Sequence, residues 1–276
     1  MSSIKMRSMF IAPPKHQLVQ FDFSQAESWV VAFLANEPNM KRALMYGDIH
    51  SETAGVIFRN TGCEHSWKKK LCLKCGTELL ESERYSGKRV NHASAYRMKA
   101  PKLVQVINKD SDKPPYVTIT AAEGKRYMET WHGYYQVKGW WADIEQKLSQ
   151  TRTMITTYGR RRVFYGAWGE ELFREATAFE PQSTVADHAN GRTHPELGIK
   201  GGFLEVYNRF HHVCKIVNQA HDSIILEIPS SLVDSIVPEI YFLLRRPLVI
   251  KGEQFTIPVD CEIGERWGEL EKKAIA

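Results

Sequence analysis

The feature that most constrains this chain is a pair of aspartates in apolar surroundings, one towards each end of the sequence. Leu18-Val19-Gln20-Phe21-Asp22-Phe23 follows Pro13-Pro14 and reads as a short buried strand with Asp22 near its end. Asn218 to Ile228 reads as a hairpin, with His221-Asp222 at its turn. A carboxylate at the end of a buried strand is costly unless it is paired or holds a cation. Read singly, each aspartate caps a turn or a helix. Read together, and brought together in space, two such groups could bridge a pair of Mg²⁺ ions, the device used for in-line displacement at phosphorus.

The segments between these ends are mostly helical. Ser24 with Glu27 three residues later forms a capping-box pattern. It opens a helix with apolar positions Ala26, Trp29, Val30, Phe33 and Leu34, which Pro38 ends. A second helix is predicted over Lys41 to Phe58, before a break in character at Gly62. Glu81 to Met98 reads as helical and polar, Asn108 to Pro115 as a polar loop, and Ala121 to Thr153 as helical and aromatic-rich. Gly159 to Arg162 reads as a turn, and Phe173 to Asn190 and Phe203 to Val217 as helices.

Composition sets the outer limits. With 276 residues, 43% hydrophobic and 25% charged, the chain can bury a core in one large domain or two linked ones. That excludes a disordered tail, a collagen-like fibre and a disulfide miniprotein. A net charge of +5 permits a polyanionic partner without demanding one. No apolar run approaches the ~20 residues of a membrane helix, and Met1 to Arg7 lacks the apolar core of a signal peptide, so a cytoplasmic site and no membrane partner are expected.

Two clusters carry chemistry. Arg84, Lys88, His92 and Tyr96 recur every four residues, which drifts only about 40° per step on a helix and makes one slanting stripe. Two cations followed by two rings suit a triphosphate and a base; a solvated basic face with two incidental aromatics accounts for the spacing equally well. Cys63-x-His65 and Cys72-x2-Cys75-Gly76 offer four soft or borderline ligands. Tetrahedral Zn²⁺ fits them better than free thiols in a surface loop do, and four protein ligands leave no open position, so one structural zinc is expected. Lys68, Lys69 and Lys70 beside the cluster either meet a polyanionic partner or form a solvated face. Cys214 reads as a buried small hydrophobe, and Cys261 carries no catalytic signal. Trp131, Trp140 and Trp141 read as helix packing; His188, His194, His211 and His212 have no ligand-like company.

At this point the residues resemble family A DNA polymerases. Asp22-Phe23-Ser24-Gln25-Ala26-Glu27 resembles the first palm motif of that family, and Asp48-Ile49-His50-Ser51-Glu52-Thr53-Ala54 resembles the segment after it. The Arg84-Lys88-His92-Tyr96 stripe matches the spacing of the fingers helix that binds the incoming nucleotide. Thr157 to Arg162 is similar to the family's Gly-Arg-Arg turn; Arg174 with Pro181 to Asp187 resembles the helix that meets primer-template. Gln219-Ala220-His221-Asp222-Ser223 resembles the third motif, and Trp267-Gly268-Glu269 the C-terminal end. The matches come in the family's order across nearly the whole chain.

The resemblance implies roles. Asp22 and Asp222 would hold two catalytic Mg²⁺, with Phe23 lending its carbonyl. Arg84, Lys88 and His50 would contact the triphosphate, Lys88 also giving a proton to pyrophosphate. Glu27 would exclude a ribose 2′-OH in concert with Tyr96, and His92 would sit on base and sugar. Arg174, Gln182 and His221 would touch template or primer. The chain departs from the family at His92, where Phe or Tyr is usual, at Ser223, where a second carboxylate is common, and at Trp29 and Ala178 in place of Arg and Asn.

The resulting expectation is an α+β fold: a palm with an antiparallel sheet and helices, plus helical fingers with a zinc-knuckle insertion. The expected divisions are 1–40 palm, 41–150 fingers with the insertion at about 60–80, and 151–276 palm. The expected reaction is template-directed DNA synthesis from dNTPs on primer-template DNA. The family's thumb and exonuclease have no counterpart in the motifs found, so a second protein chain supplying them is expected, or a fragment; a phage-encoded enzyme in a bacterial cytoplasm is consistent with that. The alternative is a non-catalytic, zinc-bearing module that binds DNA or a partner.

Overall fold

A computed structural model describes residues 6–59 and 63–275. The Met1–Lys5 part of the N-terminal segment and Gly62 lie outside the described residues. In chain order the elements are β1 (His16–Phe23), α1 (Ala26–Leu34), α2 (Pro38–Tyr46), α3 (Ile49–Phe58), β2 (Trp67–Lys68), β3 (Leu71–Cys72), α4 (Glu81–Ala95) and α5 (Ala100–Lys109). There follow α6 (Ala121–Tyr134), α7 (Lys138–Thr151), β4 (Thr153–Ile155), β5 (Arg161–Val163), α8 (Glu170–Asn190) and α9 (Gly202–Phe210). The chain closes with β6 (Lys215–Ala220), β7 (Ser223–Pro229), α10 (Val233–Leu244), β8 (Leu248–Ile250), β9 (Glu253–Phe255), β10 (Val259–Gly264) and β11 (Glu271–Lys272). The fold is α+β, with an antiparallel sheet and ten α-helices among the described residues.

The chain divides into two compact units: residues 1–27, 155–160 and 181–276 form one, and 28–154 with 161–180 the other. The first is built on a five-stranded sheet of order β11-β10-β1-β7-β6, antiparallel at every pairing. β1 lies centrally because it is apolar enough to be covered: Leu18, Val19, Phe21 and Phe23 are buried. α10 packs on β1 and β10, burying Val233, Ile236, Val237, Ile240 and Leu244. The second unit is helical. α3 packs against α4, α6 packs on both, and α5 packs against α4 and α6. Its core includes Val90, Leu103, Ile107, Trp131, Ile144 and Leu148. No helix among the described residues is long and apolar enough to cross a membrane.

Three local expectations are corrected. The helix expected over Lys41 to Phe58 is two helices, and Pro38 starts α2 rather than ending α1. Gly47 is extended and Asp48 caps α3, accepting from the His50 and Ser51 amides at 2.9 and 3.0 Å. A capping carboxylate satisfies helix-end donors more cheaply than a continuous helix would bury it. Secondly, the helix expected over Phe203 to Val217 stops at Phe210, and Lys215 to Ala220 forms β6 on the edge of the sheet. There ladder bonds to β7 outweigh local helix preference. Finally, α1 begins at Ala26, after Gln25 in a left-handed conformation (φ 57°), one residue later than a helix capped by Ser24 would start.

Candidate active site

In the first unit, strand register brings the two aspartates together. Asp22 on β1 stands opposite Ser223 at the start of β7, and the Phe23 amide donates to the Asp222 carbonyl at 3.2 Å. His221 holds the hairpin turn with a left-handed φ of 53°, and the Ser223 hydroxyl donates to the Ala220 carbonyl at 2.9 Å. On the other side of β1, Asp22 faces Asp260 of β10. Burial, then the charges of Asp222, Asp260 and Glu262, push the Asp22 carboxyl up to about 6, with Lys272 opposing. Burial, then Glu27, also raises Asp222, against its own backbone bond and His221. Anionic oxygens concentrated this way are a hard-donor set that suits Mg²⁺. Asp260 and Glu262 were not legible as site residues; only the β1–β10 register places them there.

A cleft of about 400 Å³ is lined by Glu27, Gln182, Val185, Ala186, His221 and Asp222. Four residues singled out from sequence, drawn from three distant stretches of the chain, thus share one wall. Phe23 is buried, its ring edge-on to His188 at 5.5 Å. Behind it the Tyr158 hydroxyl lies 2.7 Å from His188 Nδ1, and Arg246 donates to the His188 carbonyl at 2.6 Å. Arg160 makes a forked pair with buried Asp187, its Nε donating at 3.0 Å.

In the second unit, α4 presents the stripe. Arg84 donates to Asp48 Oδ2 at 2.6 Å. Burial alone would raise the Asp48 carboxyl, but the Arg84 bond and charge outweigh it, with help from the Ser51 amide, and hold it below its ordinary range. Lys88 and His92 are exposed. The rings of His92 and Tyr96 meet edge to face at 5.4 Å, Tyr96 standing at the C-cap of α4. Arg174 is exposed on α8.

His50 is held by a residue that the sequence did not mark. Asn91 is buried on α4, and its Oδ1 accepts from Trp131 Nε1 and Thr53 Oγ1, both at 2.7 Å. Trp131 can only donate, so the amide orientation is fixed. Asn91 Nδ2 therefore donates to the Ile49 carbonyl at 3.1 Å and to His50 Nδ1 at 3.2 Å. Burial pushes His50 down to about 4, Arg84, Lys88 and His92 adding to it against Asp48. A neutral imidazole that accepts at Nδ1 carries its proton on Nε2, ready to donate to an anionic oxygen.

Cys63, His65, Cys72 and Cys75 also converge in the second unit, with their ligand atoms all within 4.8 Å of one another. This donor set fits tetrahedral zinc.

The match that decides the family is to the family model for DNA polymerase family A, over residues 1–269. The chain belongs to DNA polymerase family A. It is similar to the DNA polymerase of Escherichia phage T5, 23% identical over 83% of this chain and 28% of the relative. It is similar also to the thermostable DNA polymerase I of Thermus aquaticus, 25% identical over 95% of this chain and 28% of the relative. Among solved structures it resembles the POL domain of Pol1 from M. smegmatis, which was solved in complex with DNA primer-template and dNTP. The TM-score is 0.70 at 18% identity, over 95% of this chain and 42% of that one. The chain therefore spans well under half the length of these relatives, and the last comparison shows the fold alone.

Proposed function

We propose that this family A chain catalyses template-directed DNA synthesis, joining a dNMP to a primer 3′-OH with release of pyrophosphate. The observation that supports this most is the register that sets Asp22 beside Asp222, which itself lines a cleft with Glu27, Gln182 and His221. A pure binding module has no use for paired, desolvated carboxylates. We assign the sheet unit to the palm and the helical unit to the fingers. Primer-template and dNTP, the partners of the M. smegmatis relative, are the partners proposed here, together with a second protein chain that adds grip on duplex.

Asp22 and Asp222, with the Phe23 carbonyl, would hold two Mg²⁺ ions, which when bound activate the 3′-oxygen and neutralise charge at the α-phosphate. The remaining work is positioning and charge. Arg84 and Lys88 would neutralise the triphosphate, and His50 would donate from Nε2. Lys88 has an exposed ammonium and would protonate departing pyrophosphate. Glu27 would reject a ribose 2′-OH, with Tyr96 assigned to the same sugar and His92 to sugar and base. Gln182, His221 and Arg174 would touch primer or template.

The test is single-turnover primer extension with Mg²⁺ and dNTPs, wild type beside Asp222→Asn, with and without co-encoded partner proteins. Extension by the wild type and a loss of at least about 10³-fold in the variant, or ~4 kcal/mol at the transition state, is expected, with the melting temperature retained. Wild-type rates in Asp222→Asn, or no incorporation by the wild type in either condition, would overturn the assignment.

A further inference from the structure

The cysteine-histidine cluster lies outside the proposed reaction, and its geometry is that of a closed metal centre. His65 Nδ1 stands 3.2 Å from Cys72 Sγ and 3.4 Å from Cys75 Sγ. Tetrahedral zinc, with Zn–S near 2.3 Å, requires ligand separations of about 3.3–3.8 Å. The other ring nitrogen, Nε2, lies 3.0 Å from the Arg59 carbonyl and donates its proton there. That bond leaves the Nδ1 lone pair facing the sulfurs, the supporting contact that metal-binding histidines ordinarily have. The loop between Cys72 and Cys75 is shaped to match. Gly76 (φ 71°) turns the chain so that its amide donates to the Cys72 carbonyl at 3.0 Å, and the Leu73 amide donates to the Ser66 carbonyl at 2.8 Å. Cys72 is buried and Cys75 exposed, so burial of apolar sulfur does not account for the convergence.

The cluster is seated on α3. Trp67, between the ligand pairs, is buried with Ala54, Cys72 and Leu79, and Phe58 and Cys63 pack beside them. A Cβ on Gly55 would come within 2.7 Å of the Trp67 indole, and one on Gly47 within 2.9 Å of the Trp67 carbonyl. Both glycines leave the room that this contact needs. From the cluster the chain leads directly into α4, whose first turn is tied back by Arg59–Glu83 at 2.6 Å and Lys70–Glu81 at 3.3 Å. The cluster thus joins the end of the helix that Asp48 caps to the start of the helix that carries Arg84.

We propose that Cys63, His65, Cys72 and Cys75 bind one structural zinc ion that clamps the connection between α3 and α4 and so fixes the spacing of these two helices. Four protein ligands close the tetrahedron, so the ion takes no substrate. The proposal stands independently of the polymerase reaction, because nothing in it depends on catalysis.

The test uses the full chain, purified without added metal. About one zinc per chain is expected, and none after exhaustive chelation. Co²⁺ added to the stripped protein should give the intense visible bands of tetrahedral thiolate coordination. Cys75→Ser removes an exposed ligand on which little packing depends, and should weaken zinc by more than the ~10–100-fold typical of losing a supporting partner. Cys214→Ser, in the other unit, should keep its zinc. For the clamp, amides of Ile49–Phe58 and Glu81–Ala95 should exchange at least about tenfold faster after stripping, while β1 and β7 are unchanged. Absence of zinc together with no tetrahedral Co²⁺ spectrum overturns the site. Stoichiometric zinc whose removal leaves the α3 and α4 exchange unchanged overturns the clamp.

Discussion

Gly87 offers a sharp test of how α3 and α4 are spaced. It sits on α4 next to Lys88, where α4 crosses α3. A Cβ built there would lie 2.4 Å from the His50 carbonyl oxygen, 3.0 Å from the Ala54 amide nitrogen and 3.1 Å from the Ala54 Cβ. The first two atoms are backbone, so no rotamer change relieves the clash. Restoring ordinary contact requires α3 and α4 to part by about 1 Å. In Gly87→Ala the gain in helix propensity, ~1 kcal/mol, opposes an overpacking cost near the upper end of ~1–3 kcal/mol. The expected net loss is about 1–2 kcal/mol. Gly133→Ala on α6 is the control: nothing lies within 4 Å of its added Cβ, so it should gain about 0.5–1 kcal/mol. Urea denaturation of wild type and both variants, followed by helical signal, measures the difference. On the proposed assignment of His50 to the triphosphate, dissociation of a dNTP should also be faster in Gly87→Ala, since the displaced carbonyl belongs to His50. If Gly87→Ala proves as stable as Gly133→Ala, the close approach of α3 and α4 is wrong.

Two further outcomes follow from buried groups. Asn91→Leu strips Trp131 Nε1 of its partner, leaves Thr53 Oγ1 with the Tyr135 hydroxyl alone, and removes the side-chain donor to the Ile49 carbonyl and His50 Nδ1; a loss of about 2–4 kcal/mol by denaturant unfolding is expected, and a loss within about 0.5 kcal/mol would show that the hub is not formed. His188 has its imidazole pushed down to about 3 from 6.5 by burial, with Arg246 and His194 adding to it. Below pH 6.5 the unfolded chain then binds a proton that the folded chain does not. Stability should therefore fall as pH drops through 6.5 towards 3, by up to about 1.4 kcal/mol per pH unit from this group. In His188→Gln that slope should flatten by up to about one proton in chemical unfolding at stepped pH, and an unchanged slope would refute the assignment.

Short-range features were legible without a structure. β1 announced itself by an apolar run after two prolines, and the stripe on α4 by four-residue spacing, because both depend on neighbours within a turn or a strand. The cysteine-histidine spacing was equally local, and the four ligand atoms do converge. Where the reading failed, a distant partner had decided the outcome. Lys215 to Val217, expected to continue a helix, instead begin the strand Lys215–Ala220 because β7 offered a ladder edge, whereas Asn218 to Ala220 already read as part of a hairpin. The helix over Lys41 to Phe58 broke because Asp48 gains two amides and Arg84 there.

The sequence by itself determined which residue types were available: two aspartates in apolar surroundings, a basic and aromatic stripe, and a metal-type spacing. The tertiary structure alone decided what surrounds them. Register set Asp260 opposite Asp22, and packing buried Asn91 under His50 and His188 behind Phe23. The reason is physical. Periodicity and spacing act along the chain, whereas desolvation and charge coupling depend on distances that only the folded chain defines.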